Sequence, residues 1–155
     1  MSERSVEHAA FVVERVYDAS PDRVFAAWSD PQAKARWYAG SEGEFELDFR
    51  VGGWERGRGM LPDGREYSFQ ALYQDIVLAR RIVYTYDMLL DGIRISVSLA
   101  TAQFKPERDC TRLVFTEQGA FLDGHETPAG REQGMGSLLD SLGEWLQTTD
   151  PAAAE

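Results

Sequence analysis

An acid, an imidazole and a second acid stand together in "DGHE", as Asp123, His125 and Glu126, just ahead of a helical pattern. Groups of this kind could move protons or begin a metal site. A metal needs further ligands, and the only other histidine is His8, so the stretch reads as a loop and no metal is expected. Arg131 follows within an otherwise apolar helix face, where it must snorkel outward or meet an acid, a carbonyl or a ligand anion. Cys110 has no base beside it in sequence and reads as a small turn or buried residue rather than a nucleophile. The glycines of "GGWERGRG" (52–59) lack a following Lys-Ser/Thr and a helix, so they form no phosphate loop. There is no serine elbow either. What stands out is a set of rings: Trp37, Trp54, Tyr67, Phe69, Tyr73, Tyr84, Tyr86 and Phe115. Each alone reads as core. Together, so many phenols in an apolar setting suit the wall of a small-molecule site, because buried hydroxyls need partners.

Composition narrows the classes. A chain of 155 residues with 43% apolar content makes one domain with one core. The formal charge of −10 disfavours phosphate backbones, so no nucleic-acid partner is expected. A single cysteine excludes an internal disulfide and suits a reducing compartment. No apolar run approaches the ~20 residues of a membrane span, and "MSERSVEHAA" is not built like a signal peptide, so a cytoplasmic location is expected.

The residues are positioned by a recognisable series of elements. "FVVERVYDA" (11–19) is β-branched and aromatic, hence a strand. Ser20-Pro21 and Asp30-Pro31 each place a capping side chain before a proline at the first helical position, predicting two short helices. Strand-like runs follow at 44–49, 53–60, 66–76, 81–88, 94–104 and 111–121, divided by turn residues such as Pro62-Asp63-Gly64 and Asp91-Gly92. Short turns at regular spacing predict an antiparallel meander. Tyr67, Phe69, Ala71 and Tyr73 share one face, and Ile95, Val97 and Leu99 share another, opposite Arg94, Ser96 and Ser98. From Thr127-Pro128 onward, Met135, Leu138, Leu139, Leu142, Trp145 and Leu146 keep helical spacing in a sector about 120° wide. Gly136 and Gly143 border that sector, where a strand could approach closely. Trp28 and Trp37 are expected to fill the junction of the short helices, the sheet and the long helix.

"RVYDASPDRVFAAWSDPQAKARW", "RVGGW", "PDGREY", "RRIVYTY", "CTRLVFTEQGAFLDG" and "GMGSLLDSLGEWL" resemble, in this order, the helix-grip superfamily of START-like and SRPBCC proteins, polyketide cyclases among them. Within it the chain is similar to the bacterial branch related to the C-terminal domain of the activator of the 90-kDa heat-shock-protein ATPase. The resemblance covers about residues 8 to 147, treated as one domain, with 1–7 and 148–155 as loose termini. It implies an α+β fold in which a curved antiparallel sheet of six to seven strands wraps a long C-terminal helix. It also implies an apolar cavity between sheet and helix, and puts Met135 where the family usually has tryptophan.

The leading reading is a protein that binds a hydrophobic small molecule in that cavity without catalysis and without a cofactor. Its expected ligand contacts are the eight rings together with Arg131, Met135, Leu138 and Leu139. A second reading is a cyclase- or hydrolase-type enzyme using the same cavity, with acid–base groups among the tyrosines, Arg131 and Asp123/His125/Glu126. A third, implied by the resemblance, is a chaperone ATPase-associated interaction module. A homodimer could form through a sheet edge or the exposed part of a Trp-bearing helix.

Overall fold

In the computed structural model, residues 4–39 and 43–148 are described. Residues 1–3 and 149–155, within the expected loose termini, lie outside them. The chain runs through β1 (Val6–Tyr17), α1 (Pro21–Ser29), α2 (Pro31–Lys34), a π-helical turn (Ala35–Ala39), β2 (Glu44–Leu47), β3 (Trp54–Met60), β4 (Glu66–Val77), β5 (Arg81–Leu90), β6 (Ile93–Glu107), β7 (Cys110–Leu122) and α3 (Pro128–Thr148). The seven strands form one antiparallel sheet in the order β1-β7-β6-β5-β4-β3-β2. Only the β1–β7 pairing joins strands distant in sequence, which makes this an α+β helix-grip architecture. β1 starts at Val6, so the first strand takes in two residues that the sequence leaves to the terminus.

Local chemistry accounts for the turns and helix ends. The Ser20 hydroxyl accepts from the Arg23 amide (3.3 Å) and the Asp30 carboxylate from the Gln32 amide (3.2 Å), each just ahead of a proline. α2 is a single turn that passes into a π-helical turn, which carries Trp37 and Tyr38. Asp91 and Gly92, both at positive φ (48° and 79°), form the two-residue β5–β6 hairpin.

The core lies between the concave face of the sheet and the helices. Trp28 is fully buried and packs edge-on against Trp37 and Phe104 while stacking with Phe115, so the expected junction forms around it. α3 rests on β1. A Cβ on Gly143 would come within 3.3 Å of the Tyr17 ring, and one on Gly136 within 2.9 Å of Arg15 Nη2, so the missing side chains permit the close approach. The Tyr17 hydroxyl donates to the Leu139 carbonyl (2.7 Å), and Arg23 to that of Leu146 (3.0 Å). Met135, Leu139, Leu142 and Leu146 are buried, while Leu138 and Trp145 are partly so. Leu142 has no exposed surface, and Leu142→Ala should cost about 2–5 kcal/mol, read as a lower urea midpoint at unchanged slope. A loss below 0.5 kcal/mol on the same scale would place Leu142 outside the core.

Candidate functional site

α3 leans toward β1, and the opposite side of the concave sheet is left open beneath its N-terminal half. A cavity of about 470 Å³ lies there, walled by β4, β5, β6, the π-helical turn, the loop before α3 and the first turns of α3. Its apolar surface comes from Tyr38, Tyr67, Phe69, Met88, Leu90, Ile95, Met135 and Leu138, with Leu61 near the β3–β4 turn. Gly57 and Gly59 are what let two of these rings lie down. A Cβ on Gly57 would stand 2.3 Å from the Phe69 ring, and one on Gly59 2.7 Å from the Tyr67 hydroxyl.

The polar end of the wall is built around Arg131, which is 5% exposed. Its Nε donates to Glu126 Oε2 (2.8 Å). Nη1 donates to the Tyr86 hydroxyl (2.9 Å) and to Glu117 Oε2 (3.1 Å). Nη2 donates to Ser96 Oγ (2.7 Å) and to Glu126 Oε1. All five N–H groups of the guanidinium are therefore engaged by the protein itself. Burial alone would lower its pKa, but hydrogen bonding with Glu126 and the charges of Glu126 and Glu117 outweigh that and raise it. Glu117 is fully buried and also accepts from Tyr86 (2.7 Å) and Ser98 (2.8 Å), all on Oε2, while its Oε1 has no partner among the described residues. Arg131 is thus the buried pairing that its place on an apolar helix face called for.

A second buried ion pair lies deeper. Lys34 Nζ donates to Glu55 Oε1 (2.5 Å), which also accepts from the Tyr73 hydroxyl (2.6 Å); Lys34 and Glu55 are 1% and 2% exposed. The ammonium sits 4.8 Å from the ring centroids of both Trp28 and Tyr38. Burial pulls the amine pKa down, against the pull of the Glu55 carboxylate. Burial also raises the Tyr38 and Tyr84 phenols well above their ordinary value, so both stay neutral hydroxyls.

Of the residues singled out in the sequence, Tyr67, Phe69, Tyr86, Arg131, Met135 and Leu138 stand on the cavity wall. Trp37, Tyr73, Tyr84, Phe115 and Leu139 are in the core behind it: Trp37 donates its indole N–H to the Ala27 carbonyl (2.9 Å), and Tyr73 is held by Glu55. Trp54 lies on the convex face, stacked on Arg56, because its neighbours Glu55 and Gly57 are the residues of β3 that point inward. The "DGHE" cluster is dispersed. Asp123 accepts from Arg4 and the Ser5 amide, His125 stands at the cavity mouth, and Glu126 clamps Arg131. Among the described residues no group of three or more His, Cys, Asp and Glu side chains is arranged to hold a metal ion.

Tyr38, Met88, Leu90 and Ile95 escaped the sequence reading, as did the acids Glu117 and Glu55. A signal for Glu117 existed: it continues the inward series Thr111, Leu113, Phe115, and an acid on one apolar face answers an Arg on the facing one. Ile95 had no such signal. It is the unpaired residue of a bulge, since Met88 pairs with Ser96 and Leu89 with Arg94. The bulge turns Ile95 inward and leaves Val97 and Leu99 on the convex face (46% and 38% exposed), so Ser96 and Ser98 face the interior. The three apolar residues of that strand therefore do not share a face, and it is the two serines that serve the core, as partners for Arg131 and Glu117.

Residues 18–147 match the model of the family described as "Activator of Hsp90 ATPase homolog 1-like protein". No curated protein matches the chain significantly. Among solved structures, an uncharacterized protein from Rhizobium leguminosarum is 44% identical, with a TM-score of 0.91 over 95% of this chain and 99% of that one. The Mll3558 protein from Rhizobium loti is 45% identical, with a TM-score of 0.86 over 92% and 99%. A protein from Arthrobacter aurescens, 22% identical with a TM-score of 0.74 over 94% and 92%, shares the fold.

Proposed function

We propose that this chain, which belongs to the family of Activator of Hsp90 ATPase homolog 1-like proteins, holds an apolar small molecule between its sheet and its C-terminal helix without catalysing a reaction. The observation that carries this reading is the cavity of about 470 Å³, a volume suited to a small ligand, with rings and aliphatic side chains on most of its wall and a few polar groups at one end. His125 and Glu126 share that wall, which is what a cyclase- or hydrolase-type reading would rest on. Glu126 gives both its oxygens to Arg131, so His125 is the freer of the two for proton transfer.

A thermal-shift screen against sterols, long-chain acids and alcohols, and polycyclic phenols tests the reading. At a concentration of 100 Kd a ligand that binds only the folded chain stabilises it by about 2.7 kcal/mol. A screen without a single stabiliser would end the proposal, and turnover of a hit with a bell-shaped pH profile lost on His125→Ala would replace it with the enzyme reading. Met135 is 4% exposed and on the wall, so Met135→Trp should fill part of the cavity. We expect the largest hit to lose roughly tenfold in affinity, about 1.4 kcal/mol, with the unfolding midpoint nearly unchanged. Equal affinity for that ligand would mean that it does not reach Met135.

A further inference from the structure

We infer that the cavity selects an uncharged apolar molecule bearing a hydrogen-bond donor, such as a phenol or an alcohol, and turns away the matching carboxylate. The inference rests on the reading of the cavity as a ligand site and concerns which headgroup that site accepts.

An arginine at the end of an apolar cavity would ordinarily mark a place for an anion. Here its five donors are taken by Glu126, Glu117, Tyr86 and Ser96, and none is left for a ligand. The charge is already overbalanced: one guanidinium faces two carboxylates, Glu117 and Glu126. The other cation of the wall, Arg65, is paired with Asp63. A ligand carboxylate would add a further negative charge to a buried cluster that holds a surplus of one; among the described residues neither arginine of the wall is free to receive it, and the remaining basic side chain, His125, lies exposed at the mouth, away from the buried end.

The hydrogen bonds lean the same way. Tyr86 and Ser98 both donate to Glu117, yet Glu117 Oε1 still has no partner. The cluster is short of donors, not of acceptors. Glu126 lines the cavity with its side chain 25% exposed, and each of its oxygens has a lone pair beyond the one given to Arg131. A hydroxyl on the ligand would find an ionised acceptor there, the stronger kind of hydrogen bond.

Matched probes decide the matter in calorimetric titrations of the whole chain at pH 7: 2-naphthol, 2-naphthoate and 2-methoxynaphthalene, then 1-decanol and decanoate. In each series the hydroxyl compound should bind at least tenfold tighter than the carboxylate. The methyl ether, uncharged but without a donor, should bind roughly tenfold more weakly than the naphthol. In Glu126→Gln the surplus charge is gone, and the preference for naphthol over naphthoate should fall to about threefold or less, mainly because the carboxylate binds better. Carboxylates that bind the natural chain as tightly as the hydroxyl compounds would overturn the charge argument while leaving the cavity reading standing. An ether that matches the naphthol would overturn the donor argument alone. Failure of all five probes to bind would count against the cavity reading and take this inference with it. Should Glu126→Gln fold poorly, the comparison on the unaltered chain still decides.

Discussion

Arg131→Met should lower the unfolding free energy by about 3–5 kcal/mol, a large part of what a domain of this size holds. Methionine keeps most of the aliphatic volume, so the loss is one of charge and hydrogen bonds rather than of packing. Glu117 would remain fully buried with only Tyr86 and Ser98 donating to it, and one of its oxygens already lacks a partner. An uncompensated buried carboxylate is among the more expensive single defects a core can carry. Tyr86 and Phe121 would also lose the cation over their rings, at 5.7 and 5.3 Å. Adding Glu117→Gln should recover more than half of the loss, because the stranded charge is then gone and the amide oxygen can still accept from Tyr86 and Ser98. Urea unfolding of the two variants measures both quantities. A cost below 1 kcal/mol for Arg131→Met would show that the buried Glu117 does not depend on the guanidinium.

Lys34→Met should cost a similar 3–5 kcal/mol, through a separate defect centred on Glu55. Glu55 would keep the Tyr73 hydroxyl but lose the Lys34 ammonium, in a site where it is 2% exposed. The ammonium also lies over the faces of Trp28 and Tyr38, contacts worth up to about 2 kcal/mol when desolvated. Lys34→Met combined with Glu55→Gln leaves Tyr73 an acceptor and removes both charges, so most of the loss should return. In a double-mutant cycle the two changes should be non-additive by more than 1 kcal/mol, as contacting residues are. Additive losses would show that Lys34 and Glu55 stabilise the fold independently.

Elements defined by short-range chemistry were legible in the sequence. The caps at Ser20 and Asp30, the Asp91–Gly92 hairpin, and the apolar stripe of α3 with its flanking Gly136 and Gly143 all depend on residues within one or two turns of each other. Tyr67, Phe69, Ala71 and Tyr73 likewise share a face, since strand alternation is a property of the chain itself. Short turns gave the meander from β2 to β7, but the pairing of β1 with β7 joins the two ends of the chain and no local signal announces it.

The candidate site was legible only in part, because a cavity wall is assembled from several strands whose registers the sequence does not state. By residue type Trp54 belongs with the inward rings, yet one residue of parity sends it to the convex face. Ile95 reaches the wall through a bulge that nothing local announces. On β6 the tertiary structure even reversed the usual sense of polarity, turning Ser96 and Ser98 inward and leaving Val97 and Leu99 outside. The reason is Arg131. A helix residue brought its charge to the sheet, and the strands facing it supplied Glu117 and hydroxyls in place of apolar side chains. By itself the sequence determined which segments are helix and strand, how they are capped and turned, and that Arg131, on an apolar helix face, had either to snorkel outward or to find a partner, since all of these depend on neighbours along the chain. Which partner it took, and which rings a ligand could touch, was decided by contacts between elements up to 125 residues apart, such as that of Arg15 with Asp140, and these exist only once the sheet has closed against α3.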